Sequence, residues 1–546
     1  MSRLTAWIMS GVATLGLLIS SGCQQDSTST PEPTAPVDVT QVEETPESID
    51  VPKSAVTVDV DARRPPMLLS DYGLFEDLSK LIPDVAVIPY ELNSHSYLDH
   101  AIQDSFLYIP AGTSAEYQSD NAFEFPVGTI LGQNIRFPGD QRDTCQGSRL
   151  VETRLLIHMA HGWTAVPYVW NEDGTDADRS VIGEKTEIST VRHDGEELQF
   201  TFLTPNMNEC KRCHVNEDVM YPIGVTAANL NRNIEVNGNQ VNQLVHWQQQ
   251  GLLTGLPDDL ANVPQIPDWQ DSTTATVERR ARSWLDVNCS HCHNPRGAAS
   301  TSGLDLTFQQ DQPVRFGVFK PPVAAGRGSQ GLKFSILPQR PDESFLVRRI
   351  DSTELGVMMP PLGRSTVHHA GVELIRQWIT EMEVDEALAE AARNPMKAYK
   401  DAGDGQGDAK LGREIFHKGQ KCITCHRVGS EGGTVGPNLS DVGKRTKRDY
   451  LLESIVMPSA KIVKGFETQS IVDMDGRIIT GTVQSEDEYE VVIADAKNQT
   501  RVKKEDIDER ITSEVSTMPT LANLLSVDDV RNLIAYLETL QDTPEE

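Results

Sequence analysis

Positive charge is scarce in this 546-residue chain: 49 lysines and arginines stand against 80 aspartates and glutamates, a formal net charge of −31. Such a chain repels phosphate backbones, which excludes nucleic acid as a partner; it suits basic protein partners, or plain solubility. Long apolar runs are missing beyond residues 4–19, a stretch too short and too close to the start to read as a membrane span. Aromatic residues are almost absent from 24–60, where Ser, Thr, Pro, Asp and Glu dominate. That composition cannot bury enough apolar surface to fold, and it reads as a disordered, solvated tether. The rest, with 38% hydrophobic residues overall, is ordinary globular material long enough for three or four domains.

Arg3, the apolar run and the small residues Ser20-Ser21-Gly22 lead to Cys23, a pattern similar to a bacterial lipoprotein signal in which the cysteine carries lipid. Ser20 departs from that pattern, which usually has an aliphatic residue there, and plain signal-peptidase cleavage is the alternative. Residues 1–23 are therefore expected to be an export signal. The expected location is the periplasmic side of the envelope, lipid-anchored, at the outer membrane.

Six of the eight cysteines form three C-x-x-C pairs, each followed at once by histidine: Cys210/Cys213 with His214, Cys289/Cys292 with His293, and Cys422/Cys425 with His426. At this composition a given cysteine meets that pattern by chance about 3 times in 10,000. The spacing suits covalent c-type haem. Two thiols along one macrocycle edge form thioethers, and the adjacent imidazole falls beneath the iron. A closed zinc site would need four ligands from pairs close together, whereas these pairs lie about 80 and 130 residues apart. A thioredoxin-like pair would not need the trailing histidine. Three covalently bound haem c groups are thus expected. Cys145 is left without an intramolecular partner and reads as a small packed thiol.

The surrounding text divides the chain. Residues 65–205 have strand composition, with no catalytic constellation; His158 and His161 flank a hairpin and read as packed or surface histidines. Residues 205–270 carry the first motif, for which Met220 and His246 are weak candidates as sixth ligand. Residues 275–385 run from a helix entering Cys289 to a closing helix at 367–382, with Met359, next to proline, as sixth ligand and Met358 as core. GRGSQG at 326–331 matches a dinucleotide fingerprint but lacks its strand–turn–helix context; a tight loop offering Arg327 to a haem propionate fits better. Residues 397–546 repeat the helical plan around the third motif, interrupted at about 466–511 by a β-patterned insertion that turns at Asp475-Gly476. Met518-Pro519 mirrors Met359-Pro360, which makes Met518 the expected ligand of the third iron, ahead of Met457 and Met474. The basic run 444–448 reads as a solvated helix start or a docking patch.

Residues 66–383 resemble an uncharacterised two-haem c-type cytochrome family of proteobacteria, on LSDYGLF, VIPYELNS, FPVGTIL, LVETRLL, PNMNECKRCH, LDVNCSHCHNP, KPPVAAGRGS and GVMMPPLGR. Residues 411–540 resemble a haem-binding domain of planctomycete and verrucomicrobial proteins, on GREIF, KCITCH, GGTVGPNLSDVG, YLLESIVMPSAKI and STMP. The fold class expected is multidomain α+β. A β-rich N-terminal domain precedes class I cytochrome c-like helical domains, the last with a small β-barrel-like insertion. The resemblance implies electron transfer between redox protein partners, with no catalytic residue. A haem enzyme, peroxidase-like or a terminal reductase subunit, is the alternative, using the first haem.

Overall fold

A computed structural model describes residues 53–542, apart from 145–146, 218, 324–325, 420–421, 475–477, 496–497, 520 and 522–524. The signal, Cys23, Cys145 and the Asp475-Gly476 turn lie outside the described residues.

The chain is mixed α+β, with strands first and helices later. Six antiparallel strands form one sheet in the order β1 (Val87–Tyr90), β2 (Ile102–Tyr108), β3 (Ile130–Phe137), β4 (Arg149–Met159), β5 (Gly162–Trp170) and β6 (Ala177–Arg179). In central β4, Leu155, Ile157 and Met159 pack into a core with Leu69, Tyr72 and Trp170. Leu156 points to the other face, into a core with Leu131 and Ala165. Burial on both faces explains why LVETRLLIH lacks clean alternation. A separate hairpin, β7 (Glu184–Val191) with β8 (Glu197–Thr204), packs Ile188 and Phe202 against Ile135 and Phe137.

Two boundaries shift from the composition-based ones. Residues 54–60, assigned to the tether, lie along this domain. The Thr57 amide donates to Tyr72 O at 3.0 Å, the Ala160 amide donates to Val60 O at 3.0 Å, and Val56 and Val58 pack on the core. Residues 205–270 share a core with the sheet: Val225, Leu230, Leu244, Trp247 and Leu253 close over Leu107, Leu131 and Leu156. Each such fully buried side chain contributes about 1.5–3 kcal/mol, enough to fuse the segment to the sheet.

The two later units follow one plan. Helix α1 (Val277–Leu285), capped by Thr276, enters the second motif through a π-helical turn, Asp286–Ser290. Helix α3 (Ala409–Glu414), capped by Asp408, enters the third through Ile415–Gly419 in the same way. In each unit a closing helix crosses the entry helix, α2 (His369–Glu381) over α1 and α4 (Val527–Thr539) over α3. Glycine sets both crossings: a Cβ at Gly371 would lie 2.4 Å from the Trp284 ring, and one at Gly412 would lie 1.9 Å from Asn532 O. The third unit has its own core, drawn from residues 396–540.

Between α3 and α4 sits the expected β insertion, an antiparallel sheet of β9 (Thr468–Asp473), β10 (Ile478–Glu486), β11 (Glu490–Ala494), β12 (Gln499–Lys503) and β13 (Ile507–Ser513). The order is β12-β11-β10-β9-β13, a meander whose last strand returns beside the first. No pairing of β12 with β13 closes it among the described residues.

Candidate functional site

All three C-x-x-C-H motifs adopt one turn. The second cysteine's amide donates to the first cysteine's carbonyl, at 3.2, 3.1 and 3.1 Å in chain order. The histidine amide donates to the same carbonyl at 3.0, 2.9 and 2.9 Å. This turn holds both cysteines and the histidine of each motif in one hydrogen-bonded bend of the backbone. None of the six cysteines is in a disulfide.

The imidazoles share a second feature that motif spacing does not reveal. Each Nδ1 is held by a polar partner: Tyr221 O at 3.0 Å for His214, Ser302 Oγ at 3.0 Å for His293, and Pro437 O at 2.9 Å for His426. With Nδ1 engaged, the ring orientation is set and Nε2 is the nitrogen left to bind a metal, the arrangement expected of an iron-ligating histidine. Burial pushes all three toward the neutral form that ligates, His293 down to about 4.

The second site also carries unbalanced positive charge. Lys320 is 4% exposed, and among the described residues its ammonium reaches only Pro321 O, at 3.5 Å. Arg349 donates through Nε to Val357 O at 3.0 Å, and no carboxylate faces either cation among the described residues. Desolvation lowers Lys320 to about 8 and Arg349 to about 10. Both act on His293. A buried lysine and a half-buried arginine without counter-charge call for an anion, and the propionates of a haem supply two. The residues present therefore fit the group. Of GRGSQG, residues 326–329 form a single 3-10 turn, with Gly328 against the Arg349 guanidinium; the Arg327 side chain is outside the described residues.

Met359 lies in a loop clamped by buried Arg364. That guanidinium donates to Met359 O at 2.9 Å, Thr366 O at 2.8 Å, Ser352 O at 2.7 Å and Ile350 O at 3.3 Å. From the β domain, the Asp99 carboxylate accepts from the amides and hydroxyls of Ser365 and Thr366 at 2.6–2.9 Å. Met358, its neighbour, is buried as expected of a core residue. Sequence reasoning missed the Arg364–Asp99 clamp, because its halves are 265 positions apart. Met518 sits in the loop before α4, its amide bonded to Ser516 Oγ at 3.1 Å; rival Met474 is 69% exposed.

The first motif is placed differently. It begins at the last residue of a four-residue helix, Met207–Cys210, capped by Asn206, and Cys210 packs on the core beneath the sheet. The Glu152 carboxylate, with no exposure, binds Arg154 at 2.7 Å, and the charges of both reach Cys210. Met220 pairs with Val215 in the hairpin that holds His214, which argues against it as the opposing ligand. His246 lies half-buried in the helix Gln243–Gln249. His158 is packed, stacked on Trp163 at 4.6 Å with Nδ1 on Phe125 O, and His161 is exposed, as the sequence suggested.

The family model for cytochrome c matches residues 409–477. The match runs from α3 through the third motif and past β9, the first strand of the insertion. No curated protein matches the chain. The chain thus contains a c-type cytochrome region, which supports covalently bound haem c, its iron, and a role in haem-based electron transfer.

Proposed function

We propose that the chain is an exported three-haem c-type cytochrome that relays electrons between protein partners. One observation carries the count of three: the motifs outside the matched region share both the turn and the Nδ1 anchoring of the motif inside it. In this reading Cys210/Cys213, Cys289/Cys292 and Cys422/Cys425 form the thioethers, and His214, His293 and His426 bind iron. Met359 and Met518 complete the second and third sites. A soft, neutral thioether favours ferrous iron and fills the coordination sphere, which suits electron transfer rather than substrate chemistry. Lys320 and Arg349 hold the propionates of the second haem, and the three anchored histidines keep their rings in place as iron changes charge. Donor and acceptor are redox proteins that tolerate or complement an acidic surface. Cys23 carries lipid, and the polar stretch after it lets the folded part reach partners from the outer membrane's periplasmic face.

A haem enzyme at the first site is the second reading, favoured by the Arg154–Glu152 ion pair beside Cys210, whose buried carboxylate and half-buried guanidinium could stabilise charge developing at that site. Full-length protein from a host equipped for cytochrome maturation decides both. Intact mass and a pyridine-haemochrome assay should give three haems per chain, and fewer would refute the relay as stated. A high-spin haem that binds cyanide would favour the enzyme.

A further inference from the structure

The first and second motifs are about 80 residues apart in sequence, yet the fold brings them into contact. Ligand atoms of Cys213, His291 and Cys292 all lie within 4.8 Å of one another. The Cys292 thiol reaches Arg212 O at 3.5 Å. Tyr221, whose carbonyl holds His214, donates its hydroxyl to His291 O at 3.1 Å. One residue therefore orients the first imidazole and grips the backbone of the second motif. Beyond it, Asn216 bridges to Gly297, and the Glu217 amide donates to Arg296 O at 3.2 Å.

The β domain enforces this closeness by holding both motifs. The first shares its core. The second is tied to it by the Tyr97 amide on Asn288 Oδ1 at 2.7 Å, by Ser94 on Ser283 at 3.0 Å, and by Arg296 on Asn121 at 2.8 Å.

From this contact we infer that the first two haems form a directly coupled pair, meeting at the macrocycle edges that Cys213 and Cys292 hold. The inference rests on the three-haem reading. A thioether places a single carbon–sulfur bond between the cysteine sulfur and the porphyrin substituent. Two sulfurs within 4.8 Å therefore bring two macrocycle edges close together. Electron exchange between the irons consists of one ferrous centre becoming ferric as the other is reduced. One electron moves, no bond breaks, and no proton is required. Exchange over so short a gap outruns delivery by a diffusing partner. Close approach also splits the potentials, because a positive charge gained at one iron disfavours oxidation of the other.

The test uses full-length protein whose haem content has been set by mass. The reduced form should give a bisignate Soret circular-dichroism couplet, and the oxidised form an electron paramagnetic resonance spectrum with interacting ferric centres. The couplet should survive C422A/C425A, which removes the third haem, and vanish in C289A/C292A. Three haems with a single-signed Soret band and non-interacting centres would overturn the pair while leaving the relay intact; because this comparison uses unaltered protein, misfolding of a variant cannot obscure it. A chain with one haem and bound zinc would overturn the relay itself, since Cys213, His291 and Cys292 could then be ligating zinc as free thiols and imidazole.

Discussion

The first and third motifs carry the same five-residue pattern and the same anchored histidine, but their surroundings differ. The third lies in a helical unit with its own core, entered by α3 and closed by α4. The first has no crossing helices among the described residues; it leans on a β-sheet and touches the second motif across Tyr221 and Cys292. A C-x-x-C-H turn thus needs only local backbone bonds and one acceptor for Nδ1, and the scaffold beyond that is free to vary. What varies with it is connectivity. On the proposed three-haem reading, two motifs sharing one scaffold form a pair that exchanges electrons directly, while a motif with its own core serves as a separable terminal. Between these lies the second motif, helical like the third but docked like the first.

The sharpest way to break this comparison is to remove attachment cysteines. C422A/C425A should lose one haem of three with the first two spectra unchanged, whereas C289A/C292A should lose one and perturb the first as well; difference absorbance spectra with intact mass read both. Next in size, Arg364→Gln leaves buried carbonyls without their shared donor, for a loss of about 3 kcal/mol. The methionine-to-iron charge-transfer band of the second haem should weaken while that of the third stays. Gly412→Ala places a methyl against a backbone carbonyl and should lower the stability of the third unit by about 1–3 kcal/mol, seen in calorimetry as a downward shift of one transition only.

Lys320 offers a subtler contrast, readable as a change of slope. In haem-free protein its pKa falls from 10.5 to about 8 through desolvation. Between those values the unfolded chain binds more protons than the folded one, so stability rises with pH across that window. A propionate contact should flatten the rise in loaded protein, and Lys320→Met should abolish it in the haem-free form. Urea titrations from pH 8 to 10.5 would follow it. A rise that persists undiminished in loaded protein would remove Lys320 from the propionate site.

The motifs were legible because their chemistry is local: five consecutive residues set the turn, and the structure repeats it three times. The entry and closing helices were legible from apolar spacing, and the inserted strands from alternation around 466–511. The limit of the tether was not. Val56 and Val58 look like strays in a polar stretch until the core they cover is in view. Nor could the Lys320–Arg349 pair be read as a site, because a lysine's lack of a partner exists only once its burial is known.

By itself, the sequence determined which atoms can bond to a porphyrin and its iron, since covalent and coordinate bonds are set by residue identity and short spacing. The tertiary structure alone decided which motifs touch, whether Lys320 and Arg349 meet a counter-charge and what clamps the Met359 loop, because each depends on packing between residues separated in the chain.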